Sequence, residues 1–189
     1  MIDDRHGGLA RIVDTERRPL RPIGTSAYEV ARRTGELLTG LLRLPGVRLY
    51  QGVRLNGDPP LPYALSAGSR VVLVDAVAWP PGSYATSAAG AVYCGDVYIG
   101  QSARPLLAAV RRLRRLQPRG HRVSAVVVVH PSLDGRLDLP AATGTEVTWI
   151  AAGDAVAAIR GRLRSGQLRR GPSRAVAALA AASGGLPIG

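Results

Sequence analysis

The chain of 189 residues has no lysine and no phenylalanine, one cysteine, one methionine and one asparagine. Each absence removes a chemistry. Without lysine no glycine-rich phrase, "SGGLPIG" included, can act as a lysine-dependent phosphate loop. With Cys94 alone there is neither an internal disulfide nor a cysteine-rich metal site, and its place in "AVYCGDVYIG" reads as a partly buried thiol on a hairpin strand. The histidines, His6, His121 and His130, are dispersed and lack paired zinc spacing. No apolar run approaches the roughly 18 residues that span a bilayer. The opening "MIDDRHGGLARIVD" has acids where a secretion signal needs basic residues and an apolar core, so a cytoplasmic location without membrane attachment is expected.

Acidic residues are scarce as well: 13 against 25 basic residues, all of them arginine, for a net charge of +12. Arginine in place of lysine, with abundant alanine and glycine, is the composition expected of a GC-rich, actinobacterial genome. Codon usage does not remove the balancing acids, however, and a surplus of this size points to polyanionic partners. The positive charge is also segregated. Between Val97 and Leu133 there is no acid and seven arginines, including Arg104, Arg111, Arg112, Arg114, Arg115 and Arg119. From Ala155 onward acids are again missing, while arginines stand at 160, 162, 164, 169, 170 and 174.

Hydrophobic residues make up 46% of the chain, ample for one core. Residues 1–24 mix charge, glycine and proline and read as an arm. Residues 25–164 alternate helical and strand patterns. From 165 to 189 the chain reads as a low-complexity basic tail with little beyond alanine to bury, disordered or a loosely formed helix. Ser26 and Glu29 have capping-box spacing, and Val30, Leu37, Leu38, Leu41 and Leu42 repeat at helical spacing, predicting a helix over about 27–43. Strands are predicted around 47–55, 62–66 and 70–79, a hairpin around Gly95-Asp96, a helix after Ser102 with Leu106, Leu107, Val110 and Leu113 as its stripe, strands at "HRVSAVVVVHP" and "TEVTWI", and a closing helix from Asp154 to about Leu163. Turn-like surroundings account for Ser66, Ser69, Ser83 and Ser87. This order suits an α/β fold, a three-layer-type sandwich around a mixed central sheet.

One residue contradicts its surroundings. In "VVLVDAVAWPPG" both faces of the strand are apolar, as in a central strand covered on both sides, yet Asp75 lies on the face of Val71, Leu73, Val77 and Trp79. A carboxylate there costs several kcal/mol unless it is paired, hydrogen-bonded or metal-bound. Arg70 falls on the opposite face by parity. His130, at the end of "VVVV", is a candidate to approach Asp75 across the sheet.

The order of elements, the "RTGELLTGLL" helix, the strand ending "VDAVAW" with its Pro/Gly turn, and the Arg/Leu helix leading to "SAVVVVHP" resemble the nuclease-related domain, a branch of the restriction-endonuclease-like PD-(D/E)xK superfamily. The resemblance covers about residues 33–163. It implies a site in which carboxylates hold a divalent cation while a lysine orients or deprotonates the attacking water. Glu36 and Asp75 match the two retained acidic positions, Trp79 matches an aromatic that often follows, Pro62 stands at the metal-binding aspartate, and Val77 replaces the lysine. The site is therefore expected to be degenerate, with no confident catalytic residue and with Glu36 and Asp75 as its only candidate metal ligands. Magnesium or manganese is expected only if residual nuclease activity survives. Two one-signed arginine stretches, one on a rigid helix bearing Arg104, Arg111, Arg112 and Arg115 and followed by Arg119, are expected to bind nucleic acid. An acidic protein partner and a metal-dependent nuclease with an altered site are the alternatives.

Overall fold

The computed structural model describes residues 26–55, 60–116, 121–140, 146–164 and 174–183. Helix α1 runs from Ala27 to Thr39 and continues as a 3₁₀ turn over Gly40–Arg43. Strands β1 (Val47–Val53), β2 (Leu61–Ala67) and β3 (Arg70–Trp79) form an antiparallel meander. The chain then makes β4 (Gly82–Thr86), β5 (Ala91–Cys94) and β6 (Val97–Ser102), followed by helix α2 (Arg104–Arg115). It returns as β7 (Arg122–Pro131), the short β8 (Leu137–Asp138) and β9 (Val147–Ala151), and then helices α3 (Ala155–Arg164) and α4 (Arg174–Ala182).

Among the described residues these strands make two mixed sheets. The main one has the order β1-β2-β3-β7-β9, with β3, β7 and β9 parallel; the smaller has the order β6-β5-β4-β8. The strands β3 and β7 stay in register over their whole length, from Arg70 opposite Arg122 to Trp79 opposite Pro131. Both are buried on their two faces, which is why they read as near-continuous apolar runs. On one face Val72, Val74, Val126 and Val128 pack under α1 and α3 through Leu38, Ile159 and Leu163. On the other, Val71, Leu73, Val123, Ala125 and Val127 meet Leu106, Val110 and Leu113 of α2. The result is the expected α/β sandwich.

Local chemistry explains the junctions. The Ser26 hydroxyl accepts from the Glu29 amide at 3.1 Å, as predicted, but the Glu29 carboxylate does not return the bond: it pairs with Arg32 and Arg33, whose guanidiniums lower its pKa to about 2. The β2–β3 and β5–β6 hairpins each turn on two residues, Gly68-Ser69 and Gly95-Asp96, with glycine first at φ 54° and 58°, the left-handed conformation that a type II′ turn requires. Tyr63 ties β2 to α1 by donating to the Ala31 carbonyl at 2.9 Å, and Gly35 makes room for it, since a Cβ there would run into the phenolic oxygen.

Two expectations need correction. The first concerns the chain after residue 165. Residues 165–173 and 184–189 lie outside the described residues, but between them α4 is docked: Leu179 is fully buried, and the Arg54 amide donates to the Ala182 carbonyl at 2.8 Å. Small side chains are what permit this close seat against β1. The second concerns Ser83, read as a turn residue after the Pro-Pro pair: it lies on β4, which pairs with β5 and, through Gly82 and Ser83, with the two-residue β8.

Candidate functional site

Asp75 projects from the α2 face of β3 into a cavity of about 160 Å³. Val77, Val127 and Trp149 contribute apolar wall, and Gln101 and Ser102, at the end of β6, add polar groups. One carboxylate oxygen accepts from the Ala76 amide at 2.8 Å. Burial pushes the carboxyl pKa upward, and that hydrogen bond counteracts part of the rise. The carboxylate is thus held by a backbone amide rather than by an arginine.

The other candidates stand elsewhere. Glu36 lies on α1, across the sheet from Asp75, where it is exposed and pairs with Arg32. His130 shares that far face: its Nε2 lies 2.7 Å from the Thr34 hydroxyl, and burial, with Arg33 nearby, depresses its pKa. His130, a candidate to approach Asp75, does not do so, because position 130 has the same parity as Val126 and Val128, which face α1 and α3. Pro62 is half-buried on β2 beside Leu61, which lines the cavity, and Val77 supplies methyl groups where the resemblance calls for an amine. A hard divalent cation takes six or more oxygen ligands, and magnesium is usually held by one or two carboxylates with water or substrate oxygens completing the shell. Asp75 is the one carboxylate among the described residues that lines this cavity, and among them no group of three His, Cys, Asp or Glu side chains converges. The contributions of Gln101 and Trp149 were illegible in the sequence, since both reach the cavity from separate strands.

A charge so placed opposes folding at neutral pH. Because the folded carboxyl has a pKa above the usual carboxylate value, the penalty is absent at pH below that ordinary value, grows as the pH rises towards the folded value, and is constant above it. Asp75→Asn keeps an acceptor for the Ala76 amide and removes the charge. It is expected to raise the melting temperature at pH 7 by a few degrees, about 2–4 °C per kcal/mol in a domain of this size, with the gain fading below about pH 4. A lower melting temperature at pH 7 would show that the carboxylate makes a contact that asparagine cannot.

The arginines divide into committed and uncommitted groups. Along α2, Leu106, Ala109, Val110 and Leu113 are buried, and Arg104, Arg111 and Arg115 are exposed. Arg114 donates through Nε and Nη2 to the Val123 carbonyl at 3.2 and 2.9 Å and pairs with Glu146. Arg104 donates to the Ala89 carbonyl at 2.8 Å. That leaves Arg111 and Arg115, seven and eleven residues after Arg104, beside the half-buried Arg112 around a shallow hollow on the outer helix surface. Arg119 lies outside the described residues. On the opposite side of the sheet α3 carries Arg160 and Arg164 exposed, while Arg162 donates to the Ala158 carbonyl at 3.0 Å.

No protein-family model matches this sequence, and neither curated proteins nor solved structures give a significant match. Among the described residues no helix is long and apolar enough to cross a membrane.

Proposed function

We propose that this domain binds nucleic acid in the cytoplasm through arginines on α2, without cleaving it, as a catalytically degenerate relative of the nuclease-related domains. The observation that carries the reading is the pair Arg111 and Arg115: exposed on a rigid helix whose opposite stripe is core, in a stretch without acids, and engaged by no carboxylate among the described residues. Guanidiniums so presented suit phosphate oxygens, which they contact without reading base sequence. The cavity at Asp75 supports the non-cleaving half, because among the described residues its walls supply neither the second carboxylate nor the amine that the resemblance calls for.

The test is duplex DNA binding by fluorescence anisotropy across a salt series. Arg111→Gln with Arg115→Gln is expected to weaken binding to unrelated sequences alike and to flatten the slope of log affinity against log salt by about 0.9 per lost contact, or about 1.8 for both. Unchanged affinity and slope, with the circular dichroism spectrum intact, would favour an acidic protein as the partner. In the same samples, DNA left with magnesium or manganese should stay full length, and cleavage abolished by Asp75→Asn would establish the altered-nuclease alternative instead.

A further inference from the structure

The surplus charge is ordered along the strand axis. Strands β3 and β7 begin side by side at Arg70 and Arg122. Helix α2 ends at the same level, since Arg114 reaches the Val123 carbonyl. Helix α3 ends there too: Leu163 and Arg164 line a hollow with Val47 at the start of β1, Ala67 and Gly68 at the β2–β3 turn, and Leu44, next to Arg43. The amino end of the parallel strands therefore gathers Arg111 and Arg115 on one side of the sheet and Arg43, Arg122 and Arg164 on the other, all exposed. Arg70 is half-buried among them, and its guanidinium pKa is lowered by burial and by Arg122, as mutual crowding of positive charge would do. Among the described residues the acid at this end is Glu146, already paired with Arg114. The others lie away from it: Glu29 and Glu36 on α1, Asp75 inside the sandwich, Asp96 in the small sheet, Asp134 and Asp138 past the end of β7, and Asp154 after β9.

Backbone dipoles do not make this an anion site, because helix carboxyl ends point here and carry partial negative charge. The side chains alone reverse the sign. A single phosphate would engage one side of the sandwich at most, because two helix layers about 10 Å thick flank the sheet. A polymer with a phosphate every 3.4 Å along each strand has charges to meet the whole width. Single strands are bound with aromatic platforms on which bases stack. Here the well-exposed aromatics are elsewhere, Tyr28 in the first turn of α1 and Tyr98 on the small sheet.

We infer that the amino end of the parallel strands docks double-stranded nucleic acid, with the phosphate backbone crossing the sandwich from the end of α2 to the end of α3. The inference rests on the proposed nucleic-acid reading and extends it to residues that share no stretch of sequence. It is tested on the full chain with a 20-base-pair DNA duplex, its single strand and inorganic phosphate as probes. The triple variant Arg43→Gln, Arg122→Gln, Arg164→Gln is expected to lower the salt slope by up to about 2.7, comparable per residue to the α2 pair. The single strand should bind more weakly than the duplex, and millimolar inorganic phosphate should not displace the duplex beyond its contribution to ionic strength. A triple variant that folds and binds as the parent does, while the α2 pair still loses slope, would overturn the inference and leave the proposed function standing. A single strand bound as tightly as the duplex would also overturn it. Failure of the parent chain to bind either nucleic acid would remove the proposed function itself.

Discussion

A chain ended at Ser173 is expected to melt far below the full-length protein. The segment removed contains α4, whose Leu179 is fully buried, with Val176, Ala178 and Ala182 packed against the same core. Its last turn also receives the Arg54 amide just beyond β1, an edge strand of the main sheet. Truncation would uncover the α4 side of that edge, where Tyr50 and Val53 are now buried. Replacing one buried leucine by alanine costs about 2–5 kcal/mol. At about 2–4 °C per kcal/mol, Leu179→Ala alone should lower the melting temperature by roughly 4–20 °C, and the truncation by at least as much. Calorimetry on the three proteins checks this. A truncated chain that melts within a degree or two of the parent would mean that α4 contributes nothing to the core.

The second large effect is expected at Trp79. Its indole is 2% exposed, stacked on Tyr84 at 4.3 Å between ring centres and tilted against Trp149 at 4.9 Å. Its Nε1 donates to the Gln101 side-chain oxygen at 2.7 Å. These contacts join β3 and β9 of the main sheet to β4 and β6 of the small one, so the ring is the hinge-pin between two sheets. Trp79→Ala should cost about 3–5 kcal/mol by leaving a cavity the size of an indole. Trp79→Phe keeps an aromatic face and loses the donor, leaving Gln101 short of one bond, for a smaller part of that loss. Urea denaturation followed by far-ultraviolet circular dichroism separates the two. Equal losses in both variants would show that the hydrogen bond, not the packing, joins the sheets.

Strand β3 was legible from parity alone: the period of two placed Asp75 with Val71, Leu73, Val77 and Trp79, and the structure keeps them on one face. Helix α1 was legible from its serine cap, and the β5–β6 hairpin from glycine at its turn. Local chemistry decides such features, so a short window of sequence contains them. The docking of helix α4 is illegible for the opposite reason. Its alanines offer little apolar area by themselves, and their value lies in how near the helix backbone can come to β1, which no window of sequence shows. The candidate site divides in the same way. Which arginines α2 presents follows from spacing, whereas the gathering of Arg43, Arg122 and Arg164 at one end depends on where α1, α3 and β7 begin and end in space. Parity also separates Asp75 from His130, although which face α1 covers is settled only by tertiary packing.

The valine run of β7 has a further consequence, for what happens when the fold is lost. From Val123 to His130 the strand carries no formal charge with histidine neutral, no glycine and no proline, a composition that favours self-association of extended segments. In the intact molecule the run is out of reach, flanked by β3 and β9 and buried on both faces. Its sequence neighbours act as gatekeepers: Arg122 places a charge at one end, and Pro131 interrupts hydrogen bonding at the other. Native order and solubility are therefore coupled through one strand: conditions that populate the unfolded chain expose the run, and self-association there competes with refolding.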